Sequence, residues 1–211
     1  MKTFLFDFDG TLVDSMPTFV NTMIKILDEN NISYPDDLVK IITPLGYGGT
    51  AKYFKTLGIE LPIQEQLTLM HEYCKPEYTY NILAKQNVET TLKYLKQKGY
   101  SLNVLTASPH DMLDVCLKRL DLYDLFDNVW SSEDFGLTKA DVEIYEQASI
   151  KLGVKTQDVI FLDDNYFSLK TAKQSGMTVY GVFDPTSQEF SQQIKQLADR
   201  YVVDFSELTN E

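Results

Sequence analysis

Asp7-Phe8-Asp9-Gly10 sets two carboxylates one residue apart, directly after the apolar run Phe4-Leu5-Phe6. In an extended chain side chains alternate with period two, so Asp7 and Asp9 would point the same way. Carboxylates held a few ångströms apart repel each other. A hard divalent cation that prefers oxygen ligands, such as Mg²⁺, offsets that repulsion. One carboxylate can then attack as a nucleophile, while a neighbour whose pKa is raised donates a proton. Gly10 allows the tight change of direction that ends the run. Without further partners, the same residues read as a strand and an acidic turn that caps a helix.

Three more groups of this kind occur further along the chain. Ser101-Leu102-Asn103-Val104-Leu105 reads as a strand ending in Thr106-Ala107-Ser108, and Asp158-Val159-Ile160-Phe161-Leu162 as a strand running into Asp163-Asp164. Lys139 precedes a helix. Taken singly, Thr106 and Lys139 carry little, since strands often end in threonine and a lysine at a helix start usually faces solvent. Adjacent acids at a strand end need a partner for their like charge. Ligands of open α/β sheets bind beyond the carboxyl ends of the strands, where the strand order switches. That is where these groups would meet.

The elements needed to position them are legible. From residue 88 onward, helices marked by Val88–Leu95, Asp111–Leu120, Val142–Leu152, Phe167–Gln174 and Phe190–Leu197 alternate with short apolar strands, the later ones at 128–131, 177–182 and 201–203. This alternation predicts a doubly wound α/β core with a mostly parallel sheet. Residues 16–82 show no convincing strand. Phe19, Val20, Met23, Ile24 and Leu27 recur at helical spacing, and helices are expected again near 36–42, over 51–57 and over 67–78, where Pro76 would kink or end the last one. Thr43-Pro44-Leu45-Gly46-Tyr47-Gly48-Gly49-Thr50 reads as a loop, and Gly46, Tyr47, Gly48 and Gly49 are candidates for substrate contact through backbone N–H groups. This block is an inserted all-helical module. Most of its aromatics (Phe19, Tyr47, Tyr53, Tyr73, Tyr78 and Tyr80) should pack between helices, with one or two lining a cleft against the main domain.

Composition narrows the function. A net charge of −12 with no basic cluster disfavours binding to nucleic acid. Any phosphate site must therefore build its positive charge locally, from a metal, a lysine and backbone N–H groups. Cys74 and Cys116 lie far apart and form no metal or redox spacing, so both are expected as reduced, buried thiols. There is no secretory pattern and no apolar run long enough to span a bilayer, so no membrane partner and a cytoplasmic address are expected. Oligomeric state is not encoded in any readable feature.

Asp7-Phe8-Asp9-Gly10-Thr11-Leu12-Val13-Asp14-Ser15 resembles the opening motif, D-x-D-G-T-L-x-D-S, of the haloacid dehalogenase-like hydrolase superfamily, which consists mostly of phosphatases. Thr106 resembles its second motif and Lys139 its third. Ala140 and Glu143 stand where prolines are common in the third motif. Asp163-Asp164, followed by Ser175-Gly176-Met177, resembles the fourth, with Ser168 where a common variant has another aspartate. The resemblance covers the whole chain. It implies a Rossmann-like core of residues 1–14 and 84–211 with a helical cap at 15–83. It also implies a Mg²⁺-dependent phosphatase acting on a small phosphorylated metabolite, similar to phosphoglycolate phosphatases.

On that resemblance Asp7 is the nucleophile and Asp9 the acid and base. Mg²⁺ is held by the Asp7 carboxylate, the Asp9 carbonyl and Asp164, with Asp163 as a ligand or through water. Thr106, Ala107 and Lys139 bind the phosphoryl oxygens. Members that split carbon–halogen bonds usually lack the second acid, so Asp9 favours phosphoryl transfer. A β-phosphoglucomutase-like phosphomutase and a non-catalytic binding or regulatory protein on the same fold are the alternatives.

Overall fold

The structure is a computed structural model that describes residues 2–210. In chain order it forms β1 (Thr3–Phe6), α1 (Met16–Glu29), α2 (Leu38–Ile42), α3 (Gly46–Leu57), α4 (Ile63–Tyr80), α5 (Val88–Gln97), β2 (Ser101–Thr106), α6 (His110–Arg119), β3 (Asn128–Ser131), α7 (Val142–Leu152), β4 (Val159–Asp163), α8 (Tyr166–Gln174), β5 (Thr178–Val182), α9 (Ser191–Leu197) and β6 (Arg200–Val202). Short 3₁₀ turns link several of these. The strands make one six-stranded sheet in the order β3-β2-β1-β4-β5-β6, with every pairing parallel. The order reverses between β1 and β4, and a crevice opens at such a seam beyond the strand ends. Phe6, the last residue of β1, is paired with Val104 on one side and Leu162 on the other. The residues that follow these strands therefore emerge side by side.

β1 is buried on both faces because helices cover both sides of the sheet. Phe4 and Phe6 face one apolar cluster with Leu92, Leu113 and Phe126, and Leu5 faces the other with Tyr145, Ile144 and Leu169. The strand's period-two alternation thus joins both layers.

Between β1 and β2 the chain forms α1 to α4 and adds no strand to the sheet among the described residues. These helices bury their own cluster, with Phe19, Met23, Ile26, Leu27, Ile42, Phe54 and Met70 at its centre. α4 belongs to both layers. Its Met70 faces that cluster, while Cys74 and Tyr78 face the cluster of the main sheet.

Two local expectations are corrected. Gly46 to Gly49 do not form a loop; they are the first turn of α3, behind a 3₁₀ turn at Thr43–Leu45. Gly46 makes the junction with φ +59°, and a Cβ at Gly49 would lie 2.8 Å from the Leu45 Cβ, so glycine here serves close approach as well as freedom. Burial of Ala51 and Phe54 then holds the helix despite its glycine content. Nor does α4 end at Pro76. It runs on to Tyr80 because Cys74 and Tyr78, four residues apart on one buried face, bracket the proline. Cys74 and Cys116 are free, buried thiols. Among the described residues no helix is long and apolar enough to cross a membrane.

Candidate active site

Asp7 directly follows β1, and its N–H donates to the Leu162 carbonyl at 2.8 Å, which extends the pairing to β4 by one step. Its side chain is 7% exposed, and the carboxylate is ion-paired with the Lys139 ammonium. Lys139 also donates to Asp163 Oδ2 at 2.9 Å, and Asp163 Oδ1 accepts the Asn165 N–H at 2.6 Å. Carboxylate oxygens of Asp7, Asp163 and Asp164 lie within 4.8 Å of one another, and all three residues are buried.

The loop that delivers Lys139 is built locally. Asp141 accepts from the Thr138 N–H at 2.9 Å and from the Thr138 hydroxyl at 2.8 Å. The Tyr145 hydroxyl reaches the carbonyls of Lys139 and Ser168 at 3.1 and 3.2 Å. These contacts fix the turn that carries Lys139 and Ala140 into α7.

Burial raises the Asp7 carboxyl to about 7, with Lys139 pulling it down and Asp163 and Asp9 pushing it up. Burial, then Asp163, Asp184 and Asp7, holds Asp164 well above its ordinary value. Burial alone would lower the Lys139 amine, but Asp163 and Asp7 outweigh it and raise its pKa, so it stays charged. Three buried carboxylates thus face one ammonium. That excess of negative charge in an all-oxygen donor set suits a hard divalent cation. Gly10 (φ +73°) adds a steric condition, because a Cβ there would sit 2.8 Å from Asp164 Oδ1. Gly10→Ala is therefore expected to destabilise the fold by about 1–3 kcal/mol through backbone strain and displacement of Asp164. Thermal unfolding measures this, and an unchanged melting temperature would contradict it.

Asp9 has different partners. Its Oδ1 accepts the Ser15 hydroxyl at 2.6 Å and the Tyr78 hydroxyl, and its Oδ2 accepts the Ser108 hydroxyl. The Thr106 hydroxyl, at the end of β2, accepts the Ser108 N–H at 3.1 Å. Asp9 sits on a tight turn in which the Phe8 carbonyl accepts the N–H groups of Thr11, Leu12 and Val13.

All the residues singled out in the sequence line one cleft of about 870 Å³. Asp7, Asp9, Thr106, Ala107, Lys139, Asp163 and Asp164 lie on the sheet side, and Gly46, Tyr47, Gly48 and Gly49 on the side of α1 and α3. Ser15, Ser108 and Tyr78 were not singled out as site residues. Ser15 lies inside the opening motif and Ser108 two residues after Thr106, so both were within reach of sequence reasoning. Tyr78 is 69 residues from Asp9 and carried no signal beyond being one of several aromatics.

The fold and the site together define a doubly wound α/β enzyme with a carboxylate centre at its strand-order seam. The profile of the haloacid dehalogenase-like hydrolase family matches residues 4–182. Among curated proteins, the pyrophosphatase PpaX of Bacillus velezensis is 27% identical over 179 residues, covering 84% of this chain and 81% of that protein. A phosphorylated carbohydrates phosphatase of Thermotoga maritima is 26% identical, covering 86% and 85%. Among solved structures, a predicted phosphoglycolate phosphatase from Haemophilus somnus superposes with a TM-score of 0.81 at 22% identity, over 100% of this chain and 97% of that one. The chain belongs to the haloacid dehalogenase-like hydrolases and is an enzyme of their phosphatase class.

Proposed function

We propose that the protein is a Mg²⁺-dependent phosphomonoester hydrolase that works through an aspartyl-phosphate on Asp7. Its substrate is a small phosphorylated metabolite such as phosphoglycolate, a sugar phosphate or a nucleotide. One observation carries this reading. In a single cleft Asp7 is tied to Lys139 beside Asp163 and Asp164, whereas Asp9, two residues on, is bound by three hydroxyls. Two neighbouring carboxylates in unlike surroundings are suited to unlike roles.

In the first half-reaction an Asp7 oxygen attacks phosphorus, the bond to the ester oxygen breaks, and the proton on Asp9 passes to the departing oxygen. In the second, Asp9 takes a proton from water, the water oxygen attacks phosphorus, and the bond to Asp7 breaks to release inorganic phosphate. Lys139, the Thr106 hydroxyl and the Ala107 N–H neutralise the phosphoryl oxygens. Asp7, Asp163 and Asp164 would hold Mg²⁺ through carboxylates and Asp9 through its carbonyl. When bound, the ion offsets the repulsion between these carboxylates and an anionic phosphate and stabilises charge at the transition state. Residues 15–83 act as a cap that shapes the entrance and excludes water.

The test is phosphate release from a panel of small phosphomonoesters, with pyrophosphate included because of the relatives' names. Release is expected with Mg²⁺, to be lost with excess chelator, and to return on adding Mg²⁺ back. Release that persists in chelator would refute the metal dependence. A stable phosphate adduct on Asp7 without release would favour the phosphomutase reading. Neither release nor adduct from any ester would favour a binding protein.

A further inference from the structure

Asp9 carries an unusual load. An ionised carboxylate offers about four lone-pair sites. The Ser15 and Tyr78 hydroxyls occupy both sites on Oδ1, and the Ser108 hydroxyl occupies one on Oδ2. One site remains, on Oδ2, and Asp9 borders the cleft. Two of the three donors come from sequence close to Asp9 or from the end of β2. The third is carried on α4.

Tyr78 is held firmly where it stands. It is 1% exposed, and its ring packs on Phe8, between the two acids, with centroids 6.1 Å apart. Its carbonyl accepts from Arg119 of α6 at 3.3 and 3.4 Å, and the same guanidinium donates to the Ile82 carbonyl. Arg119 thereby satisfies the Tyr78 carbonyl in the last turn of α4, which has no partner within the helix, together with the Ile82 carbonyl just beyond it, and fastens that end to the sheet layer. Tyr47, which stacks edge-on against Phe19 and packs on the cluster that holds Tyr78 and Cys74, lies beside both polar groups and leads into the helical layer.

We propose that Tyr78 is a positioning residue for Asp9: with Ser15 it fills Oδ1, so that Oδ2 is the oxygen that carries the proton to the leaving group. The inference rests on the reading of Asp9 as the acid. As the phosphorus–oxygen bond breaks, the proton moves from Asp9 Oδ2 to the ester oxygen. Tyr78 keeps its own proton throughout. Without the Tyr78 hydroxyl, Oδ1 gains an open site, the carboxyl group can rotate, and its proton no longer has one address.

A phenol that merely satisfies itself inside the protein would sit in the same place, so the test must separate the two roles. The leaving group does this. An alkyl phosphate needs its departing oxygen protonated, whereas p-nitrophenyl phosphate expels a stable anion. kcat/KM for both esters is compared in wild type, Tyr78→Phe and Asp9→Asn. The Asp9→Asn variant is expected to lose about 100-fold or more on the alkyl ester and far less on the aryl ester. Tyr78→Phe should lose about tenfold on the alkyl ester, in kcat more than KM, with a clearly smaller loss on the aryl ester.

Equal losses on both esters, or no loss, in Tyr78→Phe while Asp9→Asn discriminates would overturn the assignment of Tyr78 alone. If Asp9→Asn itself does not discriminate, the reading of Asp9 as acid fails, and this inference with it. Should Tyr78→Phe not fold, Tyr47→Phe, which removes the hydroxyl next to Tyr78, is expected to discriminate in the same direction, and equal losses there would overturn the proposal.

Discussion

Asp7→Asn is expected to give a folded protein that releases no phosphate from any ester and forms no covalent adduct. Asparagine keeps the shape of the side chain and removes the attacking oxygen anion. Loss of a nucleophile costs at least about 10³-fold where the remaining groups act only through it. Phosphate release and intact-protein mass spectrometry check this, and residual release within tenfold of wild type would refute Asp7 as nucleophile.

Stability offers an independent readout. Burial raises the Asp7 carboxyl to about 7, from an ordinary value of 3.8 in the unfolded chain. Between these values the folded state binds more protons than the unfolded state, so metal-free stability falls as pH rises from about 4 to about 7. The cost above pH 7 is on the order of a few kcal/mol. Asp7→Asn removes the Asp7 share of this dependence and leaves that of Asp164, whose carboxyl is also raised by burial. Added Mg²⁺ should raise the melting temperature of wild type more at pH 8 than at pH 5, and should raise that of Asp7→Asn much less. A cation effect of equal size at both pH values would contradict the charge argument.

The second large effect is expected from Lys139→Met. This side chain bridges Asp7 and Asp163 and is only 11% exposed. Removing it leaves Asp7 and Asp163 without their ammonium partner, beside a third buried carboxylate, Asp164. Breaking a buried pair in this way costs about 3–5 kcal/mol. The loss should be greater at pH 8 than at pH 5, where protonation of Asp7 relieves the repulsion. In wild type the raised Lys139 pKa means that its contribution is fully present below about 10.5 and is lost as pH climbs past that value. The variant should therefore lack this alkaline component. Activity should fall by about 10²-fold or more, because charge on the phosphoryl oxygens loses a preorganised donor. Denaturant unfolding at the two pH values, together with steady-state rates, tests this. A variant as stable as wild type at pH 8 would show that the ion pairs contribute nothing net.

Leu5 and Phe161 show how a sheet becomes readable. Their short apolar runs are bounded by polar residues, and in the structure they lie opposite each other in adjacent parallel strands. The order of helices and strands followed from periodicity in the same way. Gly46 to Gly49 were misjudged because glycine content speaks for the unfolded chain. Packing of Ala51 and Phe54 against the neighbouring helices decided the helix. Of the two outcomes expected at Pro76, a kink or an end, the end does not occur, since one missing N–H weighs less than two buried side chains on the same face of α4.

The sequence by itself determined which residue types stand at the strand ends and how far apart they are. Such information is local: Asp7 and Asp9 are two residues apart however the chain folds. It could not determine their partners. Period-two alternation put both carboxylates on one side, and both do border the cleft. Only the tertiary structure turned Asp7 to Lys139, 132 residues away, and gave Asp9 to Tyr78, 69 residues away. Partner choice depends on how layers pack. The seam between β1 and β4 and the end of α4 clamped by Arg119 are products of burying apolar surface, and no spacing along the chain encodes them.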